Sequence, residues 1–276
     1  MAGVSSESLA SALADLETKL PTASLSLADE LFGILRIVDA SPGLRRAMTD
    51  PSRESADKSA LVRRLLAGKA SNDAIEIASR LAELRWANAR DISDALETLA
   101  ATVAIAVAEQ RGGQSGLGGL ERLENDLFSF NRNIEDSHEL QAALSEPQAS
   151  PEAKRALALR LSPGASEEAR VLIGQAVADP RGLKPTELVK RFAALAARRQ
   201  QRWIAEVAVA RPLNDSQLDR LQTGLNRLYG RELKITTTVD PQLLGGVRVT
   251  VGDEVLDAST LARLTELRRQ LAGQAG

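Results

Sequence analysis

Val239-Asp-Pro-Gln-Leu-Leu-Gly-Gly-Val-Arg-Val-Thr-Val-Gly-Asp-Glu-Val-Leu-Asp257, followed by Ala258-Ser-Thr-Leu-Ala-Arg-Leu264, decides how this chain ends. It reads as the end of a strand, a short loop, a Gly245-Gly246 turn, a tight hairpin and the start of a helix. Val247, Val249 and Val251 alternate with Arg248 and Thr250, the period of a half-buried strand. Gly252-Asp253 makes a two-residue hairpin loop, with Gly in the first place as a type II′ turn prefers. Nothing in the stretch is catalytic chemistry.

Upstream lie Ala205-Glu-Val-Ala-Val-Ala-Arg-Pro-Leu213, a helix from Asn214, and Leu233-Lys-Ile-Thr236. From about Trp203 onward this order resembles the C-terminal part of the F-type ATP synthase δ subunit, the oligomycin-sensitivity-conferring protein of mitochondria. The positions that carry the resemblance are Asp240, Gly245, Gly246, Val247, Gly252, Asp253, Asp257, Ser259, Arg263 and Leu264. The resemblance implies a small α+β domain closed by a helix, with these residues as its structural signature.

The rest of the chain is helical in character and repeats itself. Leu31, Phe32, Arg36, Ser41, Leu44, Ala47 and Pro51 recur as Leu127, Phe128, Arg132, Ser137, Leu140, Ala143 and Pro147, an offset of 127 − 31 = 96. At the same offset Lys58, Ala60, Leu61, Arg64 and Leu65 return as Lys154, Ala156, Leu157, Arg160 and Leu161, and Leu99-Ala-Ala as Leu195-Ala-Ala. Two Ala/Leu-rich helices similar by chance would not keep Phe, Pro and Lys in register, so a helical module is duplicated. Stripes with helical spacing build it: Leu9, Leu13, Leu16 and Leu20; Leu27, Leu31, Leu35 and Val38; Leu61, Leu65 and Leu66; Ile77, Leu81 and Leu84; Ile92, Leu96, Leu99 and Val103. Pro42, Pro51, Pro147, Pro151, Pro163 and Pro185 fall between stripes, where helices break. The long helix ending near Glu109 closes the first copy and opens the second. The sequence thus predicts a mainly α fold with an α+β C-terminal domain: a bundle over 1–110, a second over 111–203, and a sheet-and-helix domain over 204–276 with strands near 205–210, 233–239, 247–251 and 254–257. The δ family normally has one such module, so this chain departs from it, and the sequence leaves open which copy does the family's usual work.

Composition excludes several functions. Of 276 residues, 43% are hydrophobic but only 3% aromatic, so the cores are aliphatic. The absence of cysteine removes disulfide and thiol chemistry, and a lone His138 makes a zinc site unsupported. The net charge of −2 gives no reason to expect nucleic acid. No apolar run reaches the length of a membrane span, and no secretory leader is evident. Gly112–Gly119 lacks the Gly-Lys-Ser/Thr ending of a phosphate loop and reads as a connection. Arg198-Arg-Gln-Gln-Arg202 reads as the solvated end of a helix, His138 as exposed at a helix start, and Trp86 and Trp203 as core-edge residues. No cofactor, metal or catalytic residue is expected.

The function implied by the resemblance is structural: a non-catalytic δ subunit that ties the F1 head to the peripheral b-type stalk, as part of the stator. Its implied partners are the N-terminal helix of an α subunit, held by a helical module, and the b-type stalk, met by the C-terminal domain. Its implied place is the cytoplasmic face of the cell membrane, within the complex. The alternative is a helical adaptor or regulator outside ATP synthase that shares the fold alone.

Overall fold

The structure, a computed structural model, describes residues 3–113, 116–243 and 245–257. It is mainly helical, with a four-stranded mixed sheet near the C-terminus. Its elements are α1 (Val4–Glu17), a 3₁₀ turn (Leu20–Thr22), α2 (Leu25–Ala40), α3 (Pro42–Thr49), α4 (Ser55–Leu66), α5 (Asn72–Glu83), α6 (Ala89–Arg111), α7 (Leu117–Glu135), α8 (His138–Ser145), α9 (Pro151–Leu161), α10 (Glu167–Ala178), α11 (Pro185–Gln201), β1 (Ile204–Val209), α12 (Asp215–Tyr229), β2 (Lys234–Val239), β3 (Val247–Val251) and β4 (Glu254–Asp257). Two compact units are present: Met1–Arg111 with Arg122–Ala196, and Gly112–Glu121 with Ala197–Gly276.

In the helical unit, local chemistry sets the breaks. Ser41 and Ser137 each accept a hydrogen bond on Oγ from the backbone N–H three residues on, Leu44 at 3.2 Å and Leu140 at 3.3 Å. Each so caps a short helix, α3 and α8, that starts at Pro42 or His138. Ser71, Ser150 and Ser166 cap α5, α9 and α10 in the same way. The starts of α3, α4 and α6 recur as those of α8, α9 and α11 at the offset of 96. The core is largely aliphatic: Leu31, Leu35, Leu81, Leu96 and Leu99 from the first stretch, and Leu123, Leu127, Leu172 and Leu188 from the second, are all buried, with Phe32, Phe130 and Phe192 among them.

Helix α1 departs from the expected stripe. Its buried line is Ser5, Ser8, Ala12 and Leu16, while Leu9 and Leu13 are half-buried. The serines are drawn inward by partners rather than by hydrophobicity. Ser5 donates to Asp91 Oδ2 at 2.6 Å and accepts from the Ala87 N–H at 2.8 Å, and Ser8 donates to the Arg85 carbonyl at 2.6 Å.

In the second unit the sheet order is β2-β1-β3-β4, with β1 parallel to β2 and antiparallel to β3, and β3 antiparallel to β4. Alternate residues of β1 and β3, namely Ala205, Val207, Val209, Val249 and Val251, form a core with Leu225 and Leu233. Helix α12 is fixed at both ends. Asn214 and Gln217 form a reciprocal capping box, and Gly230 ends the helix at φ 65°.

Candidate functional site

The signature residues fall on the turns that close the small sheet. Asp240 fastens the end of β2: its N–H donates to the Val209 carbonyl at 2.9 Å and its Oδ1 accepts from the Gln242 N–H at 2.9 Å. Gly245 and Gly246 follow at φ 154° and 81°, and Val247 then pairs with Val209 across the sheet. The loop from 240 to 247 therefore begins and ends on one residue of β1. Gly252 has φ 59° and Asp253 a negative φ, the pattern of a type II′ loop between Val251 and its partner Glu254. Asp257 sits opposite Arg248 and pairs with its Nε at 3.5 Å. Ser259, Arg263, Leu264 and the helix expected there lie outside the described residues. Beyond the hairpin loop, β4 holds Val255 and Leu256, 60% and 42% exposed on an edge strand. Among the described residues β4 is bordered by another strand, β3, on one side.

Clefts in the helical unit include two of similar size. The first, of about 500 Å³, lies against α1 and α5. Leu16, Ile77 and Leu99 give it an apolar floor, and ion pairs form its rim. Lys19 meets Asp73 at 3.0 Å and Glu76 at 2.9 Å, and Arg80 meets Asp15 at 2.7 Å. The Glu76 and Asp73 carboxylates hold the Lys19 ammonium above its ordinary range, and Asp15 does the same for Arg80. The second cleft, of about 480 Å³, is lined by Ile134, Glu135, His138, Gln141, Leu144 and the Lys184–Glu187 segment. His138, exposed on the first turn of α8, belongs to its wall. Both clefts combine an apolar base with charged edges.

A third feature joins the repeated helices, and sequence reasoning passed over it. Arg181, in the turn between α10 and α11, has a side chain only 6% exposed and reaches three carboxylates. These are Asp39 at 2.5 Å, Asp94 at 2.8 Å and Glu97 at 3.3 Å. Its φ of 53° is the one positive value among described residues other than glycine. Burial pushes the Asp39 carboxyl up, but the Ser93 hydroxyl and Arg181 outweigh it, and the group is held below its usual range. Burial dominates at Glu97 and raises it.

Among the described residues no group of three or more His, Asp and Glu could hold a metal ion. Nor is any helix among them long and apolar enough to cross a membrane.

Residues 101–271 match the family model of the ATP synthase delta (OSCP) subunit. The chain is similar to the "ATP synthase subunit delta" of Pseudarthrobacter chlorophenolicus, 69% identical over 99% of this chain and all of that one. It is 69% identical to the subunit of that name from an Arthrobacter species, over the same shares, and 62% identical to that of Renibacterium salmoninarum, over 99% of this chain and all of the relative. A chain in a cryo-EM structure of the Toxoplasma gondii mitochondrial ATP synthase hexamer aligns at 21% identity over 62% of this chain and 94% of that chain, with a TM-score of 0.33, too low to bear on the fold.

Proposed function

The chain belongs to the ATP synthase delta (OSCP) subunit family, and on that premise we propose that it is the stator joint of an F-type ATP synthase, tying the catalytic head to a b-type peripheral stalk. The observation that carries this reading is identity of 69% to subunits of that name over their whole length. The chain works as one member of a complex and is peripheral to the membrane. It catalyses nothing: its role is to hold the head against the torque of the rotor, at the cytoplasmic face.

The contacts follow from the division proposed above, with parts at 1–110, 111–203 and 204–276. The second helical part answers to the family's usual module. Supporting this, the family match starts at residue 101, inside α6, where the counterpart of α1 falls at the offset of 96. The second half of α6 then serves as the opening helix of that part, and the first part is the addition. The N-terminal helix of an α subunit lies against the helical parts, apolar face inward. The b-type stalk meets the C-terminal domain, where β4 and the signature turns offer a contact surface.

The test is reconstitution. ATP synthase membranes stripped of their δ subunit should regain proton-coupled ATP synthesis when the full chain is added. Binding without restored coupling would refute the stator role. Calorimetry of the full chain with the α N-terminal peptide should show a negative heat-capacity change from apolar burial; no heat at millimolar peptide would refute that contact.

A further inference from the structure

Helix α2 carries Asp29, Phe32, Gly33 and Arg36 on one side, and α7 carries Asn125, Phe128, Ser129 and Arg132 at the same offset of 96. Aspartate and asparagine share a shape and a side-chain oxygen, and a phenylalanine, a small residue and an arginine follow in order at both places. Their surroundings differ. Phe32 is 2% exposed, its ring 6.3 Å from that of Phe192 on α11 and inclined at 59°. At the rim Arg36 Nη1 donates to Gln175 Oε1 on α10 at 3.2 Å, and Arg155 of α9 draws on the Asp29 carboxyl. The α2 face is thus an apolar centre with a polar rim, covered by three helices. Phe128 is 54% exposed, whereas Phe32, Phe130 and Phe192 are all buried, and Asn125, Ser129 and Arg132 are exposed around it.

The last repeat of a stack usually turns a polar face outward, because no neighbour follows to cover it. Here that face keeps its phenylalanine and the arginine beside it. We propose that the α7 face centred on Phe128 docks a helical segment of another ATP synthase subunit, one that offers an apolar pocket to Phe128, an amide or carboxylate to Arg132 and a hydrogen-bond donor to the Asn125 carbonyl oxygen. The chemistry of this partner is read from the cover on α2, which supplies Phe192, the Gln175 amide and Arg155. Asn125 is neutral where Asp29 is an acid, so the donor that meets it need not carry a charge. A second copy of this chain does not fit. The positions in its first part that answer to Arg155, Gln175 and Phe192 are Ser59, Ser79 and Leu96, already buried at 6%, 0% and 0%. This surface is separate from the two clefts, and the inference rests on the stator reading given above.

The test uses the full chain within purified ATP synthase, with a photo-crosslinking phenylalanine analogue at position 128 and, separately, at position 32. Light should join position 128 to a helix of one other ATP synthase subunit, and position 32 only to the same chain. Absence of a link from 128 in a complex that retains the chain would overturn the proposal, as would a link to the same chain, to a second copy or to lipid. A complex that fails to retain even the unsubstituted chain would refute the stator reading itself. In parallel, Phe128→Glu and Arg132→Glu should leave the fold intact, both sites being exposed, and raise dissociation from the complex by about tenfold. Unchanged retention of both variants would overturn the proposal as well.

Discussion

Arg181 Nε lies 2.5 Å from Asp39 Oδ2, although 142 residues separate them. The first helical part presents three acids here, Asp39 on α2 with Asp94 and Glu97 on α6, and the second part supplies the cation. At the offset of 96 the positions of Asp39 and Asp94 hold Glu135 and Lys190, which pair with each other at 2.9 Å, and that of Glu97 holds Ala193. The acids on α2 and α6 are therefore met by a cation from the α10–α11 turn, whereas the corresponding half-exposed positions on α7 and α11 meet each other.

Removing the cation should show this directly. Arg181→Ala removes the ion-pair partner of buried Glu97 and leaves Asp39 with Arg45 alone, a loss that should cost up to about 3–5 kcal/mol. Arg181→Lys should recover only part of that, because a single ammonium cannot span three carboxylates as a guanidinium fork does. Urea unfolding of the full chain measures both variants. A loss below about 1 kcal/mol for Arg181→Ala would mean that the cluster is a solvated surface feature.

The same cluster gives a pH dependence with two opposite slopes. The Asp39 carboxyl is held low, so its contribution is present above its ordinary value of 3.8 and is lost as pH falls through the folded value. Glu97 is raised above 4.5, so the folded chain keeps a proton that the unfolded chain has released, and stability falls as pH rises from 4.5 to the folded value. The groups facing Glu97 are Asp94 on its own helix, Arg181 from the α10–α11 turn and Arg191 on α11. Glu97→Gln should abolish the decline above 4.5 and leave the acid limb in place. Stability curves for variant and parent that run parallel from pH 4.5 upward would show that Glu97 does not titrate in this way.

Phe32 and Phe128 provide a matched pair in the isolated chain. Phe32→Ala empties a site between α2 and α11 and should cost about 3–5 kcal/mol. Phe128→Ala removes an exposed ring and should stay within about 0.5 kcal/mol of the parent. Equal losses in chemical denaturation would mean that the α7 face is covered in the free chain.

How far the sequence disclosed these features depended on the signal each one left. The four strands and α12 were legible because alternating valines, a Gly-Asp loop and an Asn-x-x-Gln cap act within a few residues of themselves. The repeat is read from Phe, Pro and Lys kept in register at the offset of 96. Helix α3 was missed as an element, although Ser41-Pro42 was the same cap and start seen at Ser150-Pro151; eight residues are too few for a stripe. The inward face of α1 was misread because Ser5 and Ser8 are buried by hydrogen bonds to residues more than seventy positions away. The Arg181 cluster left no local signal, since its members come from α2, α6 and the α10–α11 turn and only the fold brings them together. The exposure of Phe128 was hidden for a related reason. Sequence shows that Phe32 and Phe128 correspond, but only packing shows that one is covered.

The last prediction concerns the loop that starts and ends on Val209. Asp240 binds the Val209 carbonyl, and Val247 lies opposite Val209 in the sheet, so the residues between them must reverse the chain within a fixed span. Gly246 makes the final step at φ 81°, a conformation that a β-branched side chain resists strongly. Gly246→Val should therefore cost about 1–3 kcal/mol, and Gly246→Ala less. The damage should stay with the sheet, because β3 carries Val249 and Val251 into a core shared with β1 and α12 and separate from the helical unit. Hydrogen exchange should lose protection beyond about residue 204 while the helices before it stay protected. Retention of the chain in ATP synthase should weaken, because the stalk contact is assigned to the loosened part, whereas α-peptide binding should persist. Protection unchanged beyond 204 would show that the turn tolerates the side chain, and loss spread through α1–α11 would show that the sheet and the helices unfold as one.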